Sequence, residues 1–518
     1  MAGMSQETIQ YAAYAMLNIA VAREVNSIVI SPYMDEPFHV PQAQAYCNGD
    51  WTVWDPKITT PPGLYVLSVI LKRLFIFKCT TGILRLTNVL LLLTLPPILS
   101  HLLATMRRIN PPRSLLEPTT ESIVISAFPI AWFFSFLYYT ELGSLVFVLA
   151  CLWAAMKDRH WLAALLGLTS CSFRQTNIIW VLYALGASSL LTLHRKARIN
   201  AQNADSHRVA LLHDPPVCFA SIYDLSKSIT SVPHAIVPIM PSFLPYTILA
   251  AAFSVFIVWN GGIVLGDKSN HIPQLHVPQL HYFVGFSTAL GLPVLVSGPG
   301  GPVYLFRQVR NRMFGSLRCV LSPVTLVFSR LRIAVSVHFF TIHHPFLLSD
   351  NRHYTFYVWN RLFRRHPVVP YLLSPAYLVC YHMWFIRVYC PPWPVSISSQ
   401  PDSPDRSANP PPPSSGSGES SRGTPPPPDP DAKTLLQCLL LPICLVPTLL
   451  PTPLLEPRYF LIPYTLLRLQ IEPPKRNGPG VGSGWAIIIE GVWYGVINWI
   501  TMFVFLYRER ENVGRFMW

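Results

Sequence analysis

Apolar residues run along this chain in long blocks, and short polar segments separate them. A membrane-crossing helix needs about 20 apolar residues, within a range of roughly 17–25. Blocks near that length predict spans at 9–31, 63–77, 86–105, 121–140, 142–157, 161–192, 243–265, 281–298, 319–341, 367–389, 434–451, 459–471 and 485–507, with 161–192 long enough for two. Several blocks are short or broken by proline, so the pattern predicts an all-α polytopic membrane protein with about 11–14 transmembrane helices. Two stretches interrupt the rhythm. Residues 194–235 are polar and mixed, as in a loop of moderate length. Residues 391–432 are rich in Pro, Ser and Gly and almost devoid of aliphatics, which predicts a disordered, partly polyproline linker. That linker divides a transmembrane region, 1–390, from a C-terminal one, 433–518.

Composition narrows the class. Of 518 residues, 51% are hydrophobic and 12% charged, against roughly 25% charged in soluble domains. The net charge is +14, from 39 Lys+Arg and 25 Asp+Glu. The basic residues gather between apolar blocks: Arg107 with Arg108, the run 194–198, Arg307 to Arg312, and Arg361 to Arg365. That pattern fits cytoplasmic loops and anionic headgroups, and no nucleic-acid module is visible. The ten cysteines show no CxxC pair and no Cys/His metal spacing. Cys79, Cys151, Cys171, Cys380, Cys438 and Cys444 sit in or beside apolar blocks, where a free thiol acts as a small hydrophobe, and no disulfide framework can be argued from the sequence. The first apolar block has no basic leader or cleavage site and reads as a retained helix.

Basic loops at 194–212 and 305–316 on the cytoplasmic side send three polar segments, 32–62, 266–280 and 343–360, to the opposite, lumenal face. The first holds Asp35, Glu36, His39, Gln42, Trp54 and Asp55. Adjacent carboxylates at a membrane boundary are costly and tend to be functional. One of them could take a proton from a sugar hydroxyl, while indole faces and amides suit sugar rings. The alternative is an interfacial aromatic belt with solvated acids. The second segment offers Lys268, His271, His276 and His281, a surface suited to phosphate. Pro273 and Pro278 break any helix that would align those histidines on a metal. In the third, Arg352 and His353 follow Asp350, so Arg352 either holds a phosphate or pairs with that acid. Charges also interrupt apolar blocks at Arg174-Gln175-Thr176-Asn177 and at Glu456-Pro457-Arg458-Tyr459, where they need partners or a polar cavity.

The stretches PYMDEPFHVPQAQAYC, WDPKITTPPGLY, FRQTNIIW, GDKSNH with HVPQLHYF, LSDNRHYTFYVW, EPRYFLIPY and the terminal RFMW occur in that order across nearly the whole chain. Together they closely resemble the dolichyl-phosphate-glucose-dependent α-1,2-glucosyltransferases, which add the last glucose to the lipid-linked N-glycan precursor. The resemblance implies a GT-C type fold in the endoplasmic-reticulum membrane with its active site in the lumen. It also implies a dolichyl β-glucosyl phosphate donor and a diglucosylated dolichyl-pyrophosphate oligosaccharide acceptor. It makes Asp35 the expected base, with Glu36 as the alternative. Lys268, His271, Arg352, His353 and Arg458 would then serve the donor phosphate, and His39, Gln42, Trp54 and Asp55 the sugars. No cofactor or metal is expected, since fixed cations can hold a monoester phosphate. Pro37 stands where an aliphatic is expected, and 200–230, 296–312 and 391–432 depart from the pattern. A mannose transferase would share this chemistry, so only the resemblance selects glucose. A lipid transporter would share the intramembrane charges, but no internal repeat of spans is visible.

Overall fold

A computed structural model describes residues 5–202, 212–269, 272–298, 300–314, 323–390, 432–471, 483–511 and 513–518. His271 and all but the last residue of the proposed linker 391–432 lie outside the described residues. The apolar blocks fold as helices, and no strand forms among the described residues beyond isolated bridges. The first half contains α1 (Gln6–Ile28), α2 (Glu36–Asn48), α3 (Gly63–Phe75), α4 (Thr81–Arg107), α5 (Thr120–Ser126), α6 (Pro129–Phe134), α7 (Glu141–Met156), α8 (His160–Cys171) and α9 (Asn177–Gln202). There follow α10 (Ile222–Ile236), α11 (Leu244–Asn260), α12 (Pro278–Val296), α13 (Gly301–Phe314), α14 (Pro323–Phe340), α15 (Pro345–Ser349) and α16 (Tyr354–Val358). The last are α17 (Val369–Leu372), α18 (Ser374–Tyr389), α19 (Leu435–Leu449), α20 (Leu461–Leu469) and α21 (Ser483–Tyr507).

Local chemistry sets several boundaries. Ser5 caps α1 by accepting from the Thr8 N–H, and a Ser221–Asp224 capping box opens α10. Pro129 starts α6 after a break, so the block 121–140 is two short helices rather than one. The block 161–192 divides into α8 and α9 around Arg174–Thr176, as its length suggested. At the centre lies α7, apolar around almost its whole circumference and buried among α4, α8 and α9. Gly143 lets α7 approach the 172–174 turn, because a Cβ there would lie 2.0 Å from the Phe173 ring. By contrast, α11 leaves Val258 and Trp259 about four-fifths exposed, a surface suited to hydrocarbon.

Among the described residues, five stretches are long and apolar enough to cross a membrane, Thr81–Arg107, Asn177–Ile199, Ile222–Asn260, Pro278–Val296 and Gly484–Tyr507, and four shorter apolar helices accompany them. Contacts identify which ends share a face. Beside Asp35 lie the end of α1, the starts of α4 and α7, the end of α8, residues 451–458 and residues 515–518. At the opposite ends, Arg107 bonds Glu121, and Arg468 bonds both Glu121 (3.1 Å) and Glu490 (2.7 Å), stapling α4, α5, α20 and α21. A path that alternates faces passes through α1, α4, α5–α6, α7, α8, α9, α11, α12, α14, α18, α19, α20 and α21, within the range read from the sequence.

Two expectations are corrected. The block 63–77 does not span: α3 packs on α2 beside the site, and its far end stays on the Asp35 face, held by the Lys72 bond to the Cys47 carbonyl and by the Cys47–Cys79 bridge. The first polar segment therefore continues to residue 80 and carries two short helices. The cysteines do form bridges, Cys47–Cys79 and Cys218–Cys390. Cys79 leaves the set of thiols, because α2 and the α3–α4 turn meet in space though 32 residues separate the pair. Cys151, Cys171, Cys380, Cys438 and Cys444 remain thiols.

Candidate active site

Asp35 occupies the residue before α2, directly after Met34, whose backbone is left-handed (φ 61°). Such a conformation is strained for a side chain larger than glycine and tends to persist where surrounding contacts enforce it. Here the enforcing contacts come from Glu36. Its Oε1 accepts from Arg85 Nε (2.8 Å) and the Tyr138 N–H (2.7 Å), and its Oε2 accepts from Arg85 Nη2 (2.5 Å) and the Tyr33 N–H (2.9 Å). Arg85 also donates to the Val29 carbonyl (2.6 Å), tying the end of α1 to the same knot. Both members of this ion pair are fully buried.

Asp35 is placed differently. Its N–H donates to Tyr139 Oη (3.1 Å), and its Oδ2 accepts from Arg458 Nη1 (2.9 Å). Its Oδ1 has no hydrogen-bond partner among the described residues. The carboxylate sits in a recess, surrounded by protein yet with 40% of its side-chain surface open. Burial raises its pKa, but the charges of Arg458, His39 and His353 together with the Arg458 hydrogen bond outweigh it, so the net shift is below the ordinary carboxylate value.

Arg458 anchors a wider network. Its Nε pairs with Glu456, and its Nη1 lies 3.6 Å from Glu141 Oε1, which is 3.5 Å from Arg174 Nη1. Tyr139 and Tyr459 bring ring faces to Arg458 and Arg174 respectively. Glu456 and Arg458 thus neutralise each other in part, as the sequence allowed, while Arg458 also reaches Asp35.

The other predicted residues divide. His39 lies one helical turn beyond Asp35, hydrogen-bonded to Tyr65 Oη at 2.5 Å. Burial outweighs its acidic neighbours and lowers its pKa, which favours the neutral ring. Trp54 packs edge-on against Tyr65. Gln42 serves its own loop, donating to the Val53 carbonyl (2.7 Å) and accepting from the Asp55 N–H (2.9 Å); Asp55 caps the Lys57 N–H (2.9 Å). Arg352 forks onto Asp350 at 2.8 and 2.9 Å, and His353 lies 3.8 Å from the same acid. Lys268 is exposed and donates to the Asn260 carbonyl. Its segment nonetheless docks on the first one, through Leu265 N–H to the Thr59 carbonyl (3.3 Å) and Asp267 N–H to the Pro56 carbonyl (2.7 Å).

The terminal RFMW closes the site. Met517 exchanges backbone hydrogen bonds with Arg352 and Tyr354 (3.0 and 3.1 Å), His353 Nδ1 donates to the Trp518 carbonyl (2.7 Å), and Tyr33 Oη sits between the Arg515 N–H and carbonyl. The residues missed by sequence reasoning are Arg85, Tyr139 and Glu141. Glu141 did leave a signal: it is the charge at which the predicted spans 121–140 and 142–157 separate. Among the described residues, no group of three or more His, Cys, Asp or Glu is arranged to hold a metal ion.

With this geometry in place, comparison with known proteins is decisive. The model of the DIE2/ALG10 family matches residues 29–469. The chain belongs to the DIE2/ALG10 family. It is 33% identical over 505 residues to a mouse protein named Dol-P-Glc:Glc(2)Man(9)GlcNAc(2)-PP-Dol alpha-1,2-glucosyltransferase, covering 94% of this chain and 93% of the relative. Relatives with the same name are 33% identical in human, over 94% of this chain and 93% of theirs, and 32% identical in Arabidopsis thaliana, over 95% and 96%. No solved structure matches. The matched region of this DIE2/ALG10 member begins at the Arg85-bound end of α1 and runs just past Arg468, so it contains the whole Glu36–Arg85 pair and, of the second knot, Arg107, Glu121 and Arg468, while Glu490 follows it.

Proposed function

We propose that this chain transfers glucose from dolichyl-phosphate-glucose to the diglucosylated dolichyl-pyrophosphate oligosaccharide, forming the terminal α-1,2 link at the lumenal face of the endoplasmic-reticulum membrane. The named relatives supply the reaction, and one observation carries the mechanism: Asp35 is an ionised carboxylate with an open oxygen in a recess, whereas every oxygen of Glu36 is engaged.

A β-linked donor and an α-linked product require inversion, so one in-line displacement suffices, as in single-displacement glycoside chemistry. The acceptor 2-hydroxyl forms its bond to the glucose anomeric carbon as the bond from that carbon to the phosphate oxygen breaks. Asp35 takes the hydroxyl proton, and dolichyl phosphate departs with the electron pair. Protonation neutralises Asp35 and loosens its hold on Arg458 as negative charge grows on the phosphate. Arg458 is thereby coupled to both ends of the displacement. Arg352 and His353 stand nearby for the phosphate, and His39 and Trp54 line the sugar side. Fixed cations serve the phosphate, so no metal is required. The experiment is transfer of labelled glucose by the purified chain in excess EDTA. An α-1,2-linked product is expected; transfer only on restoring divalent ions would overturn metal independence, and transfer from dolichyl-phosphate-mannose instead would overturn the donor.

The bridges test the orientation. Cys47–Cys79 lies on the Asp35 face and Cys218–Cys390 on the opposite face, so an impermeant reductant added outside sealed vesicles reaches only the second bridge if the Asp35 face is lumenal. In sealed microsomes treated with such a reductant, an impermeant maleimide should modify Cys218 and Cys390 and spare Cys47 and Cys79 until detergent is added. Labelling of Cys47 or Cys79 from outside would reverse the orientation.

A further inference from the structure

On the face opposite Asp35 there is a second recess, of about 450 Å³, that the reaction does not use. The two recesses occupy opposite ends of α7: Glu141 opens the helix at the active site, and Met156, Lys157 and Asp158 leave it at the second recess. Sixteen residues separate those ends, a rise of about 24 Å. The lining comes from three elements. The end of α4 gives Thr105, Arg108 and Ile109, the end of α7 gives Lys157 and Asp158, and α9 gives Arg195 and Arg198 among others.

Four lining residues are cationic and one is acidic. Asp158 is already engaged, by Arg195 Nη1 at 2.9 Å and by Thr192 Oγ1 at 3.2 Å. Lys157 has no ion-pair partner among the described residues. Ala104, Met156 and Leu191 add an apolar floor to the lining, and Ile109 stands exposed at its edge. Cations at the C-terminal ends of helices complement the helix dipole, and cytoplasmic loops are basic in general. Neither effect calls for a concave site with an apolar floor and charges converging from three helices. Arg108 and Asp158 adopt left-handed conformations (φ 55° and 58°) where α4 and α7 end, a common way for a helix to stop, and these turns bring both chain ends to the recess.

The stretches Thr81–Arg107 and Asn177–Ile199 are membrane-crossing by length and composition, and both end at this recess. It therefore opens at headgroup depth. We infer that it binds the phosphate of an anionic lipid headgroup, with Lys157, Arg195 and Arg198 on the phosphate oxygens and the apolar floor under the glycerol end. Guanidinium forks and a lysine ammonium suit phosphate oxygens, and a juxtamembrane cluster of this kind attracts anionic lipids.

The test uses the full chain in neutral detergent, titrated with dioctanoyl phosphatidic acid and followed by native mass spectrometry. One lipid per chain is expected, with dioctanoyl phosphatidylcholine failing to displace it. The Lys157→Gln/Arg198→Gln variant should bind about tenfold more weakly or worse, since it loses charge-assisted hydrogen bonds. Thr105→Trp, which fills the recess without changing any charge, should bind as weakly; retained binding there would mean diffuse surface attraction and overturn the site. The Thr105→Trp variant also covers the case in which the double variant fails to fold. Inorganic phosphate displacing the lipid at equal concentration would overturn the lipid assignment in favour of a free phosphate ligand. Equal affinity in wild type and both variants would overturn the inference altogether.

Discussion

Asp35→Asn should reduce glucose transfer by about 10²–10⁴-fold, the range a positioned general base contributes, while leaving the unfolding midpoint close to that of wild type. The amide keeps the shape of the carboxylate, and Arg458 retains Glu456 and Glu141 as partners, so the fold has little reason to respond. The pH profile adds a second readout. Because the Asp35 pKa lies below the ordinary carboxylate value, the base stays ionised across the neutral and mildly acidic range, and transfer should fall only as pH drops through that depressed value. The same sign governs stability: the Asp35–Arg458 contribution is present above the ordinary carboxylate pKa and is lost toward low pH. Arg458→Gln removes the strongest charge that lowers this pKa, so its acidic limb should move upward. Labelled transfer measured across pH for wild type, Asp35→Asn and Arg458→Gln checks both statements. Full transfer by a folded Asp35→Asn protein would remove Asp35 from the role of base.

Much of this site could be read from the sequence, because chemistry-bearing residues in a membrane protein stand out against apolar blocks. Asp35, Arg458, Arg352 and His353 stand out in that way, and contacts that involve Asp35, Tyr33 or the RFMW end draw them together. Three things were not legible. The knot around Glu36 depends on Arg85, which lies one residue before the apolar block 86–105 and is 49 residues away, so nothing local pairs them. Glu36 and Asp35 are neighbours in sequence and equivalent by residue type; only the turn made by left-handed Met34 sends one into a buried ion pair and the other into the recess. The block 63–77 has the composition of a span, but its helix stops after Phe75 and packs on α2, which tertiary contact decides and composition does not. Gln42 and Asp55 show a role that polarity alone does not reveal. Their side chains suit sugar hydroxyls, and their hydrogen bonds also shape the loop that carries Trp54.

The largest loss of stability is expected from Arg85→Met. That change leaves the Glu36 carboxylate fully buried without its counter-charge, and breaking a buried pair from one side costs about 3–5 kcal/mol. The consequences spread along the chain, since Arg85 also accounts for the Val29 carbonyl and, more loosely, for Asn26 Oδ1 (3.2 Å) and the Ser31 carbonyl (3.3 Å). These contacts run from the last turn of α1 to the turn that presents Asp35, so a protein that survives the change should also transfer poorly. The double variant Glu36→Gln/Arg85→Met removes the stranded charge and should recover a substantial part of the unfolding midpoint. This cycle separates the two neighbouring carboxylates by role. If Glu36 only positions Asp35, transfer should recover along with the fold in the double variant, whereas no second change at Arg85 rescues Asp35→Asn. Unfolding midpoints and initial transfer rates for the four proteins of the cycle decide the matter. A double variant that is stable yet inactive would make Glu36 the base, and an Arg85→Met protein as stable as wild type would remove the knot as the device that holds Asp35 in place.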